Sequence, residues 1–511
     1  MADMRKEREE REERAWEIAR SFGEDVVPLF TVPGCADSEY VSAVARTKRL
    51  LERWSMDNVF RARLYEHPQE ACDAYGIDID PQNVRILWHE QEARQRKQDR
   101  ANGLPTPQDS RSVRRYRSFI AEKLAFRDWM RDVKAGVSGR FGLWRLQQMH
   151  RCTLELGPAK SAGLVHATVA FELQKGCSVG CWFCGVGAEK LSAHFAYSPE
   201  HAALWRDTLD VCRDVIGDSV FNGFCYWASD PLDNPDYIHF ITDFRRALGR
   251  YPQTTTAIPL RNEAKTREIL DMVRDCAGEI QRFSILTLKM LDDVHSRFTP
   301  EELINVELLP LNRESGVPKA NAGHARVKSP RGHAKTSDEQ PQTIACMSGF
   351  LFNMVDRSVR MVTPCHASDR WPNGYRVLAQ GHFDNAEQLR KLLIRLIDGA
   401  GHVVTHDTTV ALNPCLVATT VTREGYDIAS IWVKRTLVNF PAFAALDRLL
   451  RDGVHTAADV ATRIEDETGT PLVDTFNILN ELLRLGALDT EPAEAEPVVQ
   501  RVGAVKAMDS A

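Results

Sequence analysis

The sequence predicts an α/β fold, and three observations lead there. Apolar strands and amphipathic helices alternate from 164 to 311, the pattern of parallel βαβ units in a barrel or an open doubly wound sheet. A hairpin pattern follows in "CMSGFLFNMVDRSVRMVTPC", where two alternating runs flank a turn at 356–358 and leave Cys346 and Cys365 at the open ends. The chain has 511 residues, 43% apolar and 27% charged, which is enough core for two or three domains.

Taken in order, residues 1–110 form a helical N-terminal region, with apolar positions at helical spacing in "YVSAVARTKRLLERW" and a polar linker expected at "ARQRKQDRANGLPTPQDSRS". This region is a candidate peptide-recognition element. Residues 111–165 are a helical lead-in that contains "EKLAFRDWMRDVKAG". Within 166–312, strands are expected at "LVHATVAFEL", "SVFNGFCYW", "TTTAIPL", "RFSILTL" and "INVELLPL", and helices at 199–216, 236–249 and "EAKTREILDMVRDC". A polar flexible loop covers 313–341, and the hairpin region covers 342–425. Three helical runs in 426–490 have the pattern of a winged-helix module, and 491–511 is a tail rich in Ala, Glu and Val.

A net charge of -6 and a pI near 6.2 give no global attraction to nucleic acid or to an acidic membrane surface. The start, "MADMRKEREEREERAWEIARSF", is charged where a signal peptide needs an apolar run, and no segment reaches eighteen uninterrupted apolar residues. A cytoplasmic location is expected. Twelve cysteines are too sparse for a disulfide framework in a chain this long, so thiols used as ligands or reactants are favoured. Cys35, Cys72, Cys152, Cys212, Cys225 and Cys276 are isolated and are expected as buried core thiols.

Cys177, Cys181 and Cys184 differ, because they fall within eight positions after the first strand. Three thiolates so close together bind a soft metal. Structural zinc wants a closed set of four ligands, and the nearest further candidate is His194, ten residues past Cys184. An iron-sulfur cubane held by three thiolates leaves one iron open, as a reaction centre requires. Gly176, Gly180 and Gly185 supply the backbone freedom that a loop wrapped round a cluster needs.

The "CSVGCWFC" loop resembles the signature of the radical S-adenosylmethionine superfamily. That resemblance implies a partial (β/α)6 barrel, a [4Fe-4S] cluster on Cys177, Cys181 and Cys184, and S-adenosyl-L-methionine at the unique iron. It also implies a 5′-deoxyadenosyl radical able to remove a hydrogen atom from carbon. Phe183 would lie near the adenine. The stretch "YWASDPLDNPDY" is similar to the family's "GGEPLLNP", so Ser229, Asp230 and Pro231 would approach the methionine amine. Here Ala228 and Ser229 replace two glycines, and Asp230 replaces a glutamate. Ser284 is a further candidate for the ribose or carboxylate.

The N-terminal "FRARLYEHPQEACDAYGID" and the region "TIACMSGFLFN…RMVTPCHASDRWPNGYRV" together resemble the proteusin-type peptide epimerases of ribosomally made, modified peptides. Their chemistry is α-hydrogen abstraction followed by return of hydrogen to the opposite face from a cysteine thiol. An α-carbon radical is planar, so configuration is decided by the face that receives hydrogen. The donor must be a neutral thiol, which burial favours. Cys365 is the expected donor and Cys346 the second choice.

Asp369, Arg370, Trp371 and Tyr375 of "SDRWPNGY" are candidates to clamp a peptide, with a folded surface turn as the alternative. The expected partners are a ribosomal precursor peptide, leader and core, and an electron donor such as flavodoxin or ferredoxin. Two other readings of the residues stay open. Cys346, Cys365 and Cys415 resemble the ligands of an auxiliary cluster, as in a peptide crosslinking or thioether-forming enzyme. The chain could also be an iron-sulfur redox sensor whose winged element reads DNA.

Overall fold

The computed structural model describes residues 2–132, 139–328 and 343–489. The fold is mixed α and β. The strands that position the site are β1 (Ala167–Glu172), β2 (Thr255–Thr256), β3 (Gln281–Ile285), β4 (Val306–Pro310), β5 (Met347–Asn353), β6 (Ser358–Pro364) and β7 (Tyr375–His382). The chain divides into two compact units, each with its own sheet.

The first unit takes Met1–Asp132, Phe224–Tyr226 and Asp230–Pro318. Its parallel sheet has the order β2-β3-β4, with the Glu263–Val273 and Leu288–Arg297 helices as the crossovers. That is the βαβ alternation read from the sequence. Phe283, Ile285, Leu291, Val294, Phe298 and Val306 bury their side chains in one core with Met56. Met56 ends the Ser38–Met56 helix, where Asp57 closes one helix and opens the next by accepting from the Val59 and Phe60 N–H groups. The same helix ties to the sheet through Lys48, whose Nζ donates to the carbonyls of Leu303 at 3.0 Å and Val306 at 2.6 Å.

The expected linker at 93–112 is largely ordered. The Glu90–Ala101 helix runs into it, and the next helix begins at Arg111. Arg96 pairs with both Glu92 and Asp109, which ties the end of the polar segment back to that helix.

The second unit takes Val133–Gly223, Trp227–Ser229 and Lys319–Ala511. Its main sheet has the order β1-β5-β6-β7; β1 and β5 are parallel and the other pairs antiparallel. The β5–β6 hairpin turns at 354–357. A second antiparallel sheet, Leu416–Val421, Tyr426–Ser430 and Lys434–Leu437, leads into helices Phe443–Asp452, Ala457–Thr468 and Leu472–Arg484. These share a core built on Tyr426, Ile428, Leu446, Leu449, Ile464 and Leu479.

Several expectations need correction. The segment 166–312 is divided between the two units, because β1 takes β5 as its parallel partner while β2, β3 and β4 pair among themselves. The strand expected at 219–227 is a 3-10 turn, Asp218–Asn222, followed by a single bridge between Phe224 and Gln253. Side chains explain this: Asn222 Oδ1 takes the Thr168 N–H at 3.1 Å, where a neighbouring strand's carbonyl would otherwise accept it. A boundary at 425/426 would cut the antiparallel pair Leu416–Val421 and Tyr426–Ser430. Cys35 is exposed and Cys276 half-buried, whereas Cys72, Cys152, Cys212 and Cys225 are buried as expected. The tail 491–511 and the part of the polar loop at 329–341 lie outside the described residues. No helix among the described residues is long and apolar enough to cross a membrane.

Candidate active site

β1 is buried along its whole length and leads into the three-thiol loop. The neck of that loop is closed by backbone. Gln174–Lys175 pairs with Ala193–His194, and the Cys177 N–H donates to the Glu189 carbonyl at 2.9 Å. Gly176 makes the neck fit: its φ is +83°, and a Cβ there would stand 2.3 Å from the Lys190 carbonyl oxygen. Backbone N–H groups already point at two of the sulfurs, Val179 to Cys177 Sγ at 3.5 Å and Ala188 to Cys184 Sγ at 3.3 Å.

The loop is held from outside as well. The His324 N–H donates to the Cys184 carbonyl at 2.8 Å, and His324 Nδ1 lies 3.3 Å from the Cys181 carbonyl oxygen. Gly323 allows this approach, since a Cβ on it would lie 2.3 Å from the Cys184 oxygen. Lys319 stands with its Nζ 5.0 Å from the centre of the Phe183 ring. That ammonium is buried without a hydrogen-bond partner among the described residues, and burial pushes its pKa down. A buried cation over Phe183, the residue before Cys184, is the charge that an anionic group would compensate.

The donor set and this cation therefore fit an iron-sulfur cluster with an anionic ligand. Among the described residues no three His, Cys, Asp or Glu side chains are drawn together as ligands of one metal ion.

Cys365 follows β6 and is 2% exposed. Burial pushes its thiol well above the ordinary range, so it stays neutral. Its N–H donates to the Gly374 carbonyl at 3.0 Å, and the Thr343 hydroxyl donates to the same oxygen at 2.6 Å. The thiol loop packs on this neighbourhood: Gly187 lies against Asn373, and Gly185 against Ile344. An open cavity of about 560 Å³ is lined by Asn321, Arg326, His366, Ala367, Ser368 and Asp369. One wall is therefore the segment docked on Cys184, and the other begins one residue after Cys365.

The Cys346 carbonyl accepts from the Ala167 N–H at 3.2 Å, beside the start of β1. Cys415 is half-buried, its thiol pushed up to about 12 by burial. Of the residues expected to clamp a peptide, Asp369 pairs with Arg326 at 2.6 Å, Arg370 sits 5.4 Å from the Trp371 ring, and Tyr375 packs edge-on to Trp227.

Phe183 meets Trp182 edge to face. Ser229 Oγ lies 3.5 Å from the Trp227 N–H, and Ser229 belongs to the second unit with the thiols. Asp230, Pro231 and Ser284 belong to the first unit. The buried carboxylate of Asp230 accepts from the Leu232 and Ala257 N–H groups and the Thr256 hydroxyl, and burial pushes its pKa up to about 6. Asp230 thus braces the chain's own turn, with Pro231 opening that turn. Ser284 lies on β3 opposite Leu309.

Sequence reasoning missed Glu172. This buried carboxylate at the end of β1 takes the Ala228 N–H at 2.9 Å and the Asn353 amide at 3.2 Å. It also missed Lys319 and a buried ionic cluster beside Cys365. In that cluster Glu155 bridges Arg151 at 2.7 Å and Arg376 at 2.6 Å. The Arg and Glu four residues apart in "RCTLE" were the available signal.

No family model matches this chain. A solved structure of BtrN in complex with AdoMet and 2-DOIA aligns over 44% of this chain and 86% of that one at 16% identity. Its TM-score is 0.26, too low to imply a shared fold. An uncharacterized protein of Sinorhizobium fredii, y4wI, is 36% identical over 365 residues, which is 70% of this chain and 70% of that protein. At that identity and coverage, the chain belongs to the family of y4wI.

Proposed function

We propose that this protein is a radical S-adenosylmethionine enzyme that converts L- to D-residues in a ribosomal precursor peptide. The observation that carries the reading is the cavity of about 560 Å³ between the segment docked on the Cys184 carbonyl and the residue after Cys365. When bound, a [4Fe-4S] cluster and S-adenosyl-L-methionine supply a 5′-deoxyadenosyl radical that takes the α-hydrogen.

The chain's own residues do the rest. Cys177, Cys181 and Cys184 hold the cluster, and Lys319 offers its ammonium to the anionic groups there. Phe183 and Ser229 stand in the same unit to flank the cofactor. Asp230 and Pro231 brace the turn that follows. Cys365 presents a neutral S–H to the opposite face of the planar α-carbon radical. Its S–H bond breaks as the new C–H bond forms, and the resulting thiyl returns to thiol with one electron and one proton. A flavodoxin or ferredoxin supplies that electron, in the cytoplasm. The leader is held away from the chemistry by the helical N-terminal region or the C-terminal three-helix module, through groove or strand-edge contacts.

The test is anaerobic reconstitution with iron and sulfide, then reaction with reductant, S-adenosyl-L-methionine and precursor peptide in heavy water. Each inverted centre should gain one deuterium with no other mass change. Cys365→Ala should still form deoxyadenosine but no D-residue. Protein that takes up no iron at the three thiols, or forms no deoxyadenosine, overturns the reading.

A further inference from the structure

Arg151 lies on the Gly139–Leu156 helix, buried at 4% exposure, in the same unit as Cys365. Its Nη2 donates to the Pro364 carbonyl at 2.6 Å and to the Thr363 hydroxyl at 3.1 Å, and its Nε to Gln148 Oε1 at 2.9 Å. The Cys152 thiol donates to the same Pro364 carbonyl at 3.4 Å. That carbonyl belongs to the peptide unit whose nitrogen is Cys365 N, and the Cys365 N–H is itself held by Gly374 at 3.0 Å. Both polar atoms of one peptide plane are therefore pinned, from the helix on one side and the turn before β7 on the other.

A plane fixed at both ends fixes the Cys365 Cα and leaves only rotation about N–Cα and Cα–Cβ to aim the thiol. Glu155 then fixes Arg151, since its carboxylate bridges Arg151 and Arg376 and compensates the buried Arg151 guanidinium, while Arg376 also faces Asp489 at 3.9 Å. Inversion has a demanding geometric need: the thiol must reach one face of a short-lived radical before the abstracted hydrogen returns. A misplacement of about 1 Å can slow an oriented transfer by roughly a hundredfold.

We propose that Arg151 is the positioning residue of the donor thiol, holding the Pro364–Cys365 peptide so that the Cys365 S–H faces the substrate, with Glu155 as its anchor. This rests on the donor role given to Cys365 above.

The experiment compares Arg151→Gln, Arg151→Lys and Thr363→Val with wild type in two readouts. The first uses folded, cofactor-free protein: the rate of Cys365 alkylation by iodoacetamide, read by peptide mass spectrometry, with fully buried Cys212 as the internal control. Losing a charged hydrogen bond should loosen the peptide and speed Cys365 labelling about tenfold in Arg151→Gln, with Cys212 still silent. The second is the ratio of deoxyadenosine formed to D-residue made, which should rise about tenfold as the radical is quenched on the wrong face.

Arg151→Lys can still reach the Pro364 carbonyl and should recover part of both readouts. If Arg151→Gln does not fold, Thr363→Val removes the Arg151 contact at 3.1 Å and the Ser348 contact at 3.1 Å, keeps the Arg151 bond to the Pro364 carbonyl, and should move both readouts in the same direction by a smaller factor. Wild-type values in both readouts for either folded variant overturn the proposal. If wild type itself makes no D-residue, the proposed function fails, while the alkylation rates still decide whether Arg151 holds Cys365.

Discussion

Gly349, on β5, is where the sheet that carries the thiol loop is most sensitive to a single methyl group. A Cβ at this position would lie 1.9 Å from the Thr168 carbonyl oxygen, 2.5 Å from its carbon and 2.8 Å from its Cα, all of them backbone atoms of β1. Relief to 3.0 Å requires the strands to part by 3.0 − 1.9 = 1.1 Å. A ladder hydrogen bond near 3 Å does not survive that displacement. Two or three such bonds at about 1 kcal/mol each, with looser packing of Val169 and Phe350, put the cost of Gly349→Ala at roughly 3–4 kcal/mol. At about 2–4 °C per kcal/mol, the melting transition of the second unit should fall by roughly 6–16 °C. Gly180→Ala is the control: its φ is +66° but nothing lies within 4 Å of the added carbon, so only the left-handed backbone penalty of about 1 kcal/mol applies. Thermal scans followed by near-ultraviolet circular dichroism compare the two. If Gly349→Ala melts no lower than Gly180→Ala, the close strand approach is not what it is argued to be.

Three further outcomes are expected. Burial pushes the Glu122 carboxyl from 4.5 up to about 7, against the pull of the N–H donors of Leu29, Phe30 and Thr31. Since the folded value is the higher one, this group's stabilisation is full below pH 4.5 and is lost as pH rises through 7, so urea midpoints of Glu122→Gln should fall less over that window; parallel curves refute this. Glu155→Ala leaves Arg151 and Arg376 buried without their shared carboxylate and should destabilise by about 3–5 kcal/mol in urea titration, whereas a change under about 1 kcal/mol would show that the cluster relaxes into water. Cys177→Ser should reduce the iron taken up on reconstitution to background and abolish deoxyadenosine formation while leaving the far-ultraviolet spectrum unchanged; wild-type iron content would remove Cys177 from the ligand set.

Much of the fold was legible because it is written in local periodicity. The helix at 199–216, the crossover helix opening at Glu263 and the two strands of the hairpin follow apolar spacing and are found there, with the turn at 354–357, whereas the Leu288–Arg297 crossover was not read from the sequence. The strand expected at 219–227 failed because Asn222 Oδ1 and the Ser219 carbonyl accept from Thr168 of β1, and a long-range side-chain bond that competes with a ladder leaves no periodic trace. The partner of β1 was not readable either, since pairing Ala167 with Met347 depends on long-range closure. At the candidate site, thiol spacing marked Cys177, Cys181 and Cys184 directly. Lys319, Glu172 and the Arg151–Glu155–Arg376 cluster were not marked, because a charged residue looks the same in sequence whether it ends up solvated or enclosed. The bracing bonds of Asp230 were not marked either: beside the ligand contact its motif position suggests, its oxygens accept from the Leu232 and Ala257 N–H groups and the Thr256 hydroxyl.

The parallel pairing of β1 with β5 also bears on how the protein is made. Ala167 and Met347 are 347 − 167 = 180 residues apart, so the strand that presents the thiols leaves the ribosome well before the strand that completes its sheet. At about 5–20 residues per second, that delay is roughly 10–40 s. During this interval the nascent chain carries the three-thiol loop behind an unpaired, mostly apolar strand, open to oxidants and to adventitious metals. Completion of this sheet therefore has to follow synthesis of Asn353, and a chaperone that shields the emerging strand would raise the yield of folded protein.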